Sequence, residues 1–238
     1  MLMSWFKRER KQYFFYEHDI HSHILPGLDD GVKRIENSVV IVKKMLELGI
    51  KRFSFTPHIS FPSPMNTPEI IHEKLSELKG YLLNEGIKIE ADAGAEYKVG
   101  EYMLDLIQEE RIASFDGGKV LVEHSFVAPS PSFEEVVFRL QNKGYVPVLA
   151  HPERYPFYAG RLAERVRELK RRGCRIQVNL LSFVGFYGNV ALHGAKELAT
   201  AKLIDHVSGD IHSVKQVELL EKFLKSKEAG VMSSLIVD

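Results

Sequence analysis

The sequence predicts an α/β protein, a single parallel β/α barrel assembled from seven βα units. Short apolar runs alternate with longer stretches of helical period along the chain, which is how a parallel sheet flanked by helices reads. No glycine-rich dinucleotide fingerprint is present, which favours a closed barrel over a doubly wound sheet. A chain of 238 residues suits one domain of that kind.

The candidate strands are residues 15–21, 51–56, 87–95, 120–123, 146–150, 175–179 and 206–209. Between them lie helices with identifiable faces. Ile35, Val39, Val42 and Leu46 form one buried stripe, and Gly49 supplies the stop. Ile71, Leu75, Leu78 and Leu82 repeat the pattern behind Thr67-Pro68, a cap residue with proline at the first helical position. Ser132 and Glu135 are spaced as a capping box ahead of Val136, Val137 and Leu140. Leu162, Val166 and Leu169 mark a further helix closed by Gly173. No linker or repeat calls for a second domain. The expected division is a basic arm at residues 1–14 and one domain over residues 15–238.

Composition excludes several function classes. Lys plus Arg equals Asp plus Glu at 32 each, so no basic excess is available to hold a phosphate backbone, and nucleic acid is disfavoured as a partner. The single cysteine, Cys174, rules out an internal disulfide and fits a reducing compartment. A cysteine-dependent phosphatase needs an arginine six positions after its thiolate, and here that position is Leu180. Lys7, Arg8, Arg10 and Lys11 precede only a brief aromatic run from Tyr13 to Tyr16, where a signal peptide needs about 7–15 apolar residues. No segment reaches the roughly 18 apolar residues of a membrane span. The expectation is a soluble, cytoplasmic protein with no integral membrane segment. The basic arm reads as a solvated terminus, or as a contact to a partner subunit or an anionic surface, which leaves a homo-oligomer open.

The polar residues at strand ends carry the chemistry. His21 and His23, two apart in an extended segment, project to one face and can share a cation. His58 lies just past the second strand. Glu96, Glu123 and His151 end or follow the third, fourth and fifth, and Asp210 and His212 come just past the seventh. Asp30 is preferred to Asp29 as a ligand, with Asp29 as a turn residue or a partner of a ligand. The strand ends of a parallel barrel converge on one rim, where such barrels keep their active sites. Nine donors, five imidazoles and four carboxylates, exceed what one divalent ion takes. They imply two or three ions with at least one bridging carboxylate. Nitrogen and oxygen donors without thiolate suit manganese, iron or zinc better than calcium.

Clustered cations lower the pKa of a bound water and draw in phosphoryl oxygens, so metal-assisted phosphate hydrolysis by hydroxide is the expected chemistry. Arg154 offers a planar fork to a phosphate oxygen pair, or else forms a salt bridge with Glu153 or another carboxylate. Phe61, Phe126, Tyr155, Phe157, Phe183, Phe186 and Tyr187 anchor core and loops, or together wall the site for an aryl group. His124 reads as packing, and His18, His72, His193 and His206 as structural or exposed.

The ordered set His21-Ser22-His23, Leu28-Asp29-Asp30-Gly31, Thr56-Pro57-His58, Gly94-Ala95-Glu96, Ala150-His151-Pro152-Glu153-Arg154 and Asp210-Ile211-His212 resembles the PHP (polymerase and histidinol phosphatase) superfamily. More narrowly it is similar to the manganese-dependent protein tyrosine phosphatases of bacterial capsule and exopolysaccharide systems, the CpsB/YwqE type. The resemblance runs from about Glu17 to the helix after His212 and includes Gly173-Cys174 and the stretch from Gln177 to Ser182. It implies a distorted seven-unit barrel, a trinuclear site and, as substrate, the phosphotyrosine-bearing tail of a bacterial tyrosine autokinase. By motif, one ion takes His21, His23, Glu96 and Asp210. A second shares Glu96 and adds Glu123 and His151, and a third takes Asp30, His58 and His212. Arg154 matches a phosphate-gripping arginine of the family. Some relatives carry a second arginine after the last metal histidine, where this chain has Ser213, Val214 and Lys215, so either Lys215 stands in as a second substrate-binding charge or the contact is absent. His124 takes a place usually held by an aromatic residue. Two other readings remain: a PHP phosphoesterase for a small phosphate such as histidinol phosphate, or a nuclease-like relative; and a metal-binding scaffold in a polysaccharide export assembly.

Overall fold

A computed structural model describes residues 16–236. The basic arm expected at residues 1–14 lies outside them. Each apolar run forms parallel strand, and the stretches between form helices, in the order β1 (His18–Asp19), α1 (Ile35–Leu48), β2 (Arg52–Phe55), β3 (His58–Ile59), α2 (Pro68–Asn84), β4 (Glu90–Ala93), β5 (Glu96–Lys98), α3 (Glu101–Gln108), β6 (Lys119–Glu123), α4 (Phe133–Asn142), β7 (Val146–Leu149), α5 (Leu162–Arg171), β8 (Arg175–Asn179), α6 (Asn189–Thr200), β9 (His206–Ser208), α7 (Val214–Leu224) and α8 (Lys227–Ile236). The strands pair as β1-β2-β4 and as β3-β5-β6-β7-β8-β9, and every pairing between named strands is parallel.

Among the described residues nine short strands thus appear where seven were expected. Thr56-Pro57 separates β2 from β3, and a proline has no N–H to give to a ladder. Gly94-Ala95 separates β4 from β5, although Gly94 N–H still donates to Phe55 O and Glu96 N–H to Pro57 O. The first strand is shorter than the expected 15–21 because a side chain replaces its ladder. Ser208 Oγ accepts the N–H groups of Ile20 at 2.9 Å and His21 at 2.8 Å. Just beyond, Asp210 N–H donates to His21 O and His23 N–H to Ile211 O, each at 2.9 Å, and Ser22 bridges Ile211 in parallel.

The helices bury the faces their periodicity predicts. Ile71, Leu75, Leu78 and Leu82 of α2 are all buried, and Thr67 caps it by accepting from Ile70 N–H. In α5 the buried set is Leu162, Val166 and Leu169. On α1 the stripe drifts, so that Met45 is buried where Leu46 was expected. Gly49 ends α1 at φ 97°, a left-handed position that glycine takes without a Cβ clash. The capping box ahead of α4 does not form: Ser132 sits at φ −82°, ψ 0°, and its side chain makes no cap bond. A cap side chain reaches back to the first turn only from extended backbone.

Most buried apolar side chains form one cluster that includes the helix faces and the outward-pointing strand residues Tyr97, Val120, Val122 and Leu149. A second, small cluster holds Ile20, Phe115, Leu121, Val148 and Ala150. Strand side chains alternate, so Leu121 shares its face with Glu123. The small cluster is therefore an apolar floor on the face that carries the candidate ligands.

Candidate metal centre

Glu123 ends β6, His58 and Glu96 open the short strands β3 and β5 just past β2 and β4, and the other candidate ligands lie in segments that follow strands; the pairing register sets neighbours side by side. His58 stands opposite Glu96, and Lys98 opposite Glu123. His21 Nε2 lies 3.1 Å from Glu96 Oε2 and 3.4 Å from Asp210 Oδ1, and His23 Nε2 lies 3.3 and 3.4 Å from the same two oxygens. The other oxygen of Glu96, Oε1, is 3.0 Å from His151 Nε2. His58 Nδ1 is 3.2 Å from Glu96 Oε2 and 3.5 Å from Glu123 Oε1. Asp30 Oδ1 stands 3.6 Å from Nε2 of both His58 and His212.

The nine sequence-picked donors are thus together. Within 4.8 Å, ligand atoms group as His21, His23 and Glu96; as His21, His151 and Asp210; as His58, Glu96 and Glu123; and as His23, Asp30, His58 and His212. Glu96 uses both oxygens and has the position of a bridging carboxylate. The grouping differs from the motif-implied sets: His58 closes with Glu96 and Glu123, His151 groups with His21 and Asp210, and His23 joins Asp30, His58 and His212.

A directional relay sets the tautomers. Asp210 Oδ2 accepts from Asn179 Nδ2 at 2.8 Å, and Asn179 Oδ1 accepts from Gln177 Nε2 at 2.8 Å. That orientation leaves Gln177 Oε1 to accept from His151 N–H at 3.3 Å and from His21 Nδ1 at 3.0 Å. His23 Nδ1 donates to Asp29 Oδ2 at 2.7 Å, and His212 Nδ1 to Asp210 O at 2.9 Å. In their neutral forms these three imidazoles therefore aim Nε2 lone pairs at Glu96, Asp210 and Asp30. Lone pairs meeting carboxylates repel unless positive charge lies between them, so the donor set fits divalent cations. The same demand shows in the protons. Burial opposes charge on His21, but Glu96 and Asp210 outweigh it and push its pKa up to about 9. Burial and then the neighbouring Glu96 raise Glu123 well above the usual carboxylate range.

Asp29 is the organiser beneath the ligands. Besides His23 it accepts His58 N–H at 2.9 Å through Oδ2 and Gly31 N–H at 2.9 Å through Oδ1. Gly31 is required by close approach, since a Cβ there would stand 2.2 Å from His23 O. His151 and Asp210 are themselves held at φ 35° and 50°, left-handed positions costly for residues with a Cβ.

Arg154 is not paired with Glu153. Its Nη1 donates to Asp210 Oδ2 at 2.7 Å, and its guanidinium lies 4.0 Å from the Tyr187 ring centre and 4.9 Å from that of Phe126. Glu153 is buried on other partners, accepting from Asn179 N–H at 3.0 Å and Ser182 Oγ at 2.7 Å. A pocket of about 170 Å³ opens over the cluster, lined by Asp30, His58, Glu96, Lys98, Glu123, His124, Ser125, Phe126, His151, Arg154, Asp210 and His212. Lys215 is exposed in the first turn of α7 and is not among these residues.

Of the expected aromatic wall, Phe126 lines the pocket and Tyr187 backs Arg154. Tyr155 and Phe183 are buried core residues, and Phe157 stacks on Tyr155 at 5.3 Å. Phe61 is exposed against Tyr102, and Phe186 is edge-on to Tyr187. His124 is buried and neutral, its pKa pushed down to about 4 by burial and then Arg165. Its Nδ1 accepts Ser130 N–H at 3.1 Å and its Nε2 meets Tyr158 OH at 2.9 Å. Sequence reasoning left Lys98 without a role, saw Glu153 only as a possible salt-bridge partner of Arg154, and saw Gln177 and Asn179 only through the resemblance. The available signal was amides at alternate positions, Gln177 and Asn179, interleaved with the buried apolar Ile176 and Val178.

The chain is similar to several known proteins. A tyrosine-protein phosphatase, YwqE of Bacillus subtilis (strain 168), is 31% identical over 205 residues, covering 83% of this chain and 78% of that protein. The tyrosine-protein phosphatase CpsB of Streptococcus pneumoniae is 29% identical over 211 residues, covering 82% and 83%. A solved structure from work on YwqE of Bacillus subtilis and CpsB of Streptococcus pneumoniae, described as metal-dependent tyrosine phosphatases, superposes with a TM-score of 0.77 at 27% identity, covering 92% of this chain and 94% of that one. Histidinol phosphate phosphatase from Lactococcus lactis shares the fold, with a TM-score of 0.53 at 16% identity, covering 88% and 92%. Residues 17–220 match the family described as capsular polysaccharide synthesis, CpsB/CapC, and the chain belongs to that family.

Proposed function

We propose that the protein is a metal-dependent protein tyrosine phosphatase acting on the phosphotyrosine-bearing tail of a bacterial tyrosine autokinase in capsule or exopolysaccharide synthesis. The observation that carries this reading is the convergence of imidazole lone pairs and carboxylates on one pocket that also holds Arg154. His21, His23, Glu96 and Asp210 would hold one ion, with Glu123, His151, His58, His212 and Asp30 holding the others. Manganese is the proposed metal, with iron or zinc as alternatives. Bound cations supply Lewis-acid charge and a water of near-neutral pKa.

The chain's own residues do the rest. Asp29 and Gln177 fix the faces of His23 and His21. Arg154, tied by one nitrogen to Asp210 and flanked by two rings, keeps its remaining N–H groups for phosphoryl oxygens. Phe126, 43% exposed at the pocket, offers a flat face to the tyrosine ring. Cys174 takes no part: it is buried, and burial pushes its thiol pKa up to about 12.

The wider reading is one distorted seven-unit barrel over residues 15–238, working in the cytoplasm as a monomer or homo-oligomer. The parallel contact of Ser22 with Ile211, which joins the β1 and β9 ends, supports the barrel. The lone cysteine suits the compartment, and no helix among the described residues is long and apolar enough to cross a membrane.

The test is hydrolysis of a phosphotyrosyl peptide by purified protein supplied with manganese, beside elemental analysis and a histidinol phosphate control. Activity should vanish on chelation and survive Cys174→Ser. Activity that persists without metal, or is abolished in Cys174→Ser, would overturn the reading.

A further inference from the structure

The pocket over the ligand cluster is lined by two permanent cations, Arg154 and Lys98, and Lys98 has no assigned role. They come from either side of β6, Lys98 at the end of β5 and Arg154 just past β7. Strand alternation places Lys98 on the same face as Glu96, while Tyr97 between them is buried on the other face and holds Ala113 N–H at 2.7 Å. Lys98 is exposed at the mouth. Its register partner on the adjacent parallel strand is Glu123, a carboxylate of opposite charge. Here Glu123 turns to His58 instead, at 3.5 Å, and among the described residues Lys98 makes no ion pair. An ammonium free of a counter-ion therefore stands at the mouth of the pocket that also holds Arg154.

We propose that Lys98 is a second substrate-contacting cation, which holds the phosphoryl group together with Arg154. The position after His212 does not supply that charge, since Lys215 lies outside the pocket. The inference rests on the phosphatase reading for the identity of the ester, but the ligand it needs is the phosphoryl group alone. A lysine suits this place as a mobile point charge able to follow the phosphoryl oxygens, whereas Arg154 is fixed.

The test uses manganese-loaded wild type, Lys98→Ala, Lys98→Arg and Lys215→Ala proteins. Each is measured for kinetics on a phosphotyrosyl peptide and on para-nitrophenyl phosphate, for inhibition by inorganic phosphate, and for phosphate binding by calorimetry. Loss of one charge-assisted contact in Lys98→Ala should raise KM for both substrates and weaken phosphate binding by roughly tenfold. The kcat and metal content should hold, Lys98→Arg should recover most of the loss, and Lys215→Ala should match wild type. Unchanged phosphate affinity in Lys98→Ala would show an ordinary solvated lysine and overturn the proposal. A rise in KM confined to the peptide would overturn it too, by placing Lys98 on the polypeptide. Absence of phosphotyrosine hydrolysis in wild type would sink the phosphatase reading, while phosphate calorimetry would still judge Lys98.

Discussion

Arg154 Nη1 donates a 2.7 Å hydrogen bond to Oδ2 of Asp210, whose other oxygen lies 3.4 Å from both His21 Nε2 and His23 Nε2. One carboxylate thus ties the arginine proposed to grip phosphate to the imidazoles proposed to hold cations. Asp210→Asn should disturb both ends: a neutral amide attracts ion and guanidinium far less than a carboxylate does, and one of its two termini is a donor. We expect loss of bound metal and a fall in kcat on the order of a hundredfold or more. Elemental analysis and steady-state kinetics on the folded variant check this.

The relay through Gln177 makes a separate prediction. Gln177→Leu removes the acceptor for His21 Nδ1 and His151 N–H, releasing the His21 tautomer and leaving buried donors unpaired. Metal affinity should drop by roughly 10–100-fold with the ligand set intact. Competition with a chromogenic chelator measures it, and unchanged affinity would mean that the relay orients nothing.

Gly31→Ala tests the close crossing of two segments. The added Cβ would meet His23 O at 2.2 Å and His23 Cβ at 2.5 Å, both too near for a small adjustment. The variant should lose stability by roughly 1–3 kcal/mol, as overpacked sites do. Its metal content should fall as His23 shifts. Chemical denaturation and elemental analysis read the two effects.

His206 lies away from the ligands and gives a pH dependence of stability. Burial, then the Lys119 ammonium, hold its pKa down at about 4, against an ordinary value of 6.5. The unfolded chain therefore takes up its proton first as pH falls. The contribution of this group is intact above pH 6.5, declines between 6.5 and 4, and levels off below. Its slope is at most about 1.4 kcal/mol per pH unit. Urea unfolding of wild type and His206→Gln at pH 7, 6 and 5 should show the variant losing less stability on acidification (about one-unit steps suffice to resolve such a slope).

The spacing of His21 with His23 and the placing of Glu96, Glu123, His151 and Asp210 at strand ends were enough to pick out the donors that the structure brings together. Strand alternation is a local rule, and parallel strands bring their C-terminal ends to one side. The helix faces on α2 and α5 were legible for the same reason, being set by residues three and four apart. Three matters were decided only by the tertiary structure. Ser208, 188 residues away from Ile20, takes the place of a backbone partner and cuts the first strand short. Tyr155 and Phe183 are drawn into the core, while Phe126 is left at the pocket. Asp210 claims Arg154 from Glu153, and Glu123 turns from Lys98 to His58. Such choices depend on register and on competition between partners distant in the chain. Sequence alone determined which donors exist and at which end of the parallel strands they gather. Which atoms share each carboxylate, and which cation remains free, was decided when packing brought the remote strands together.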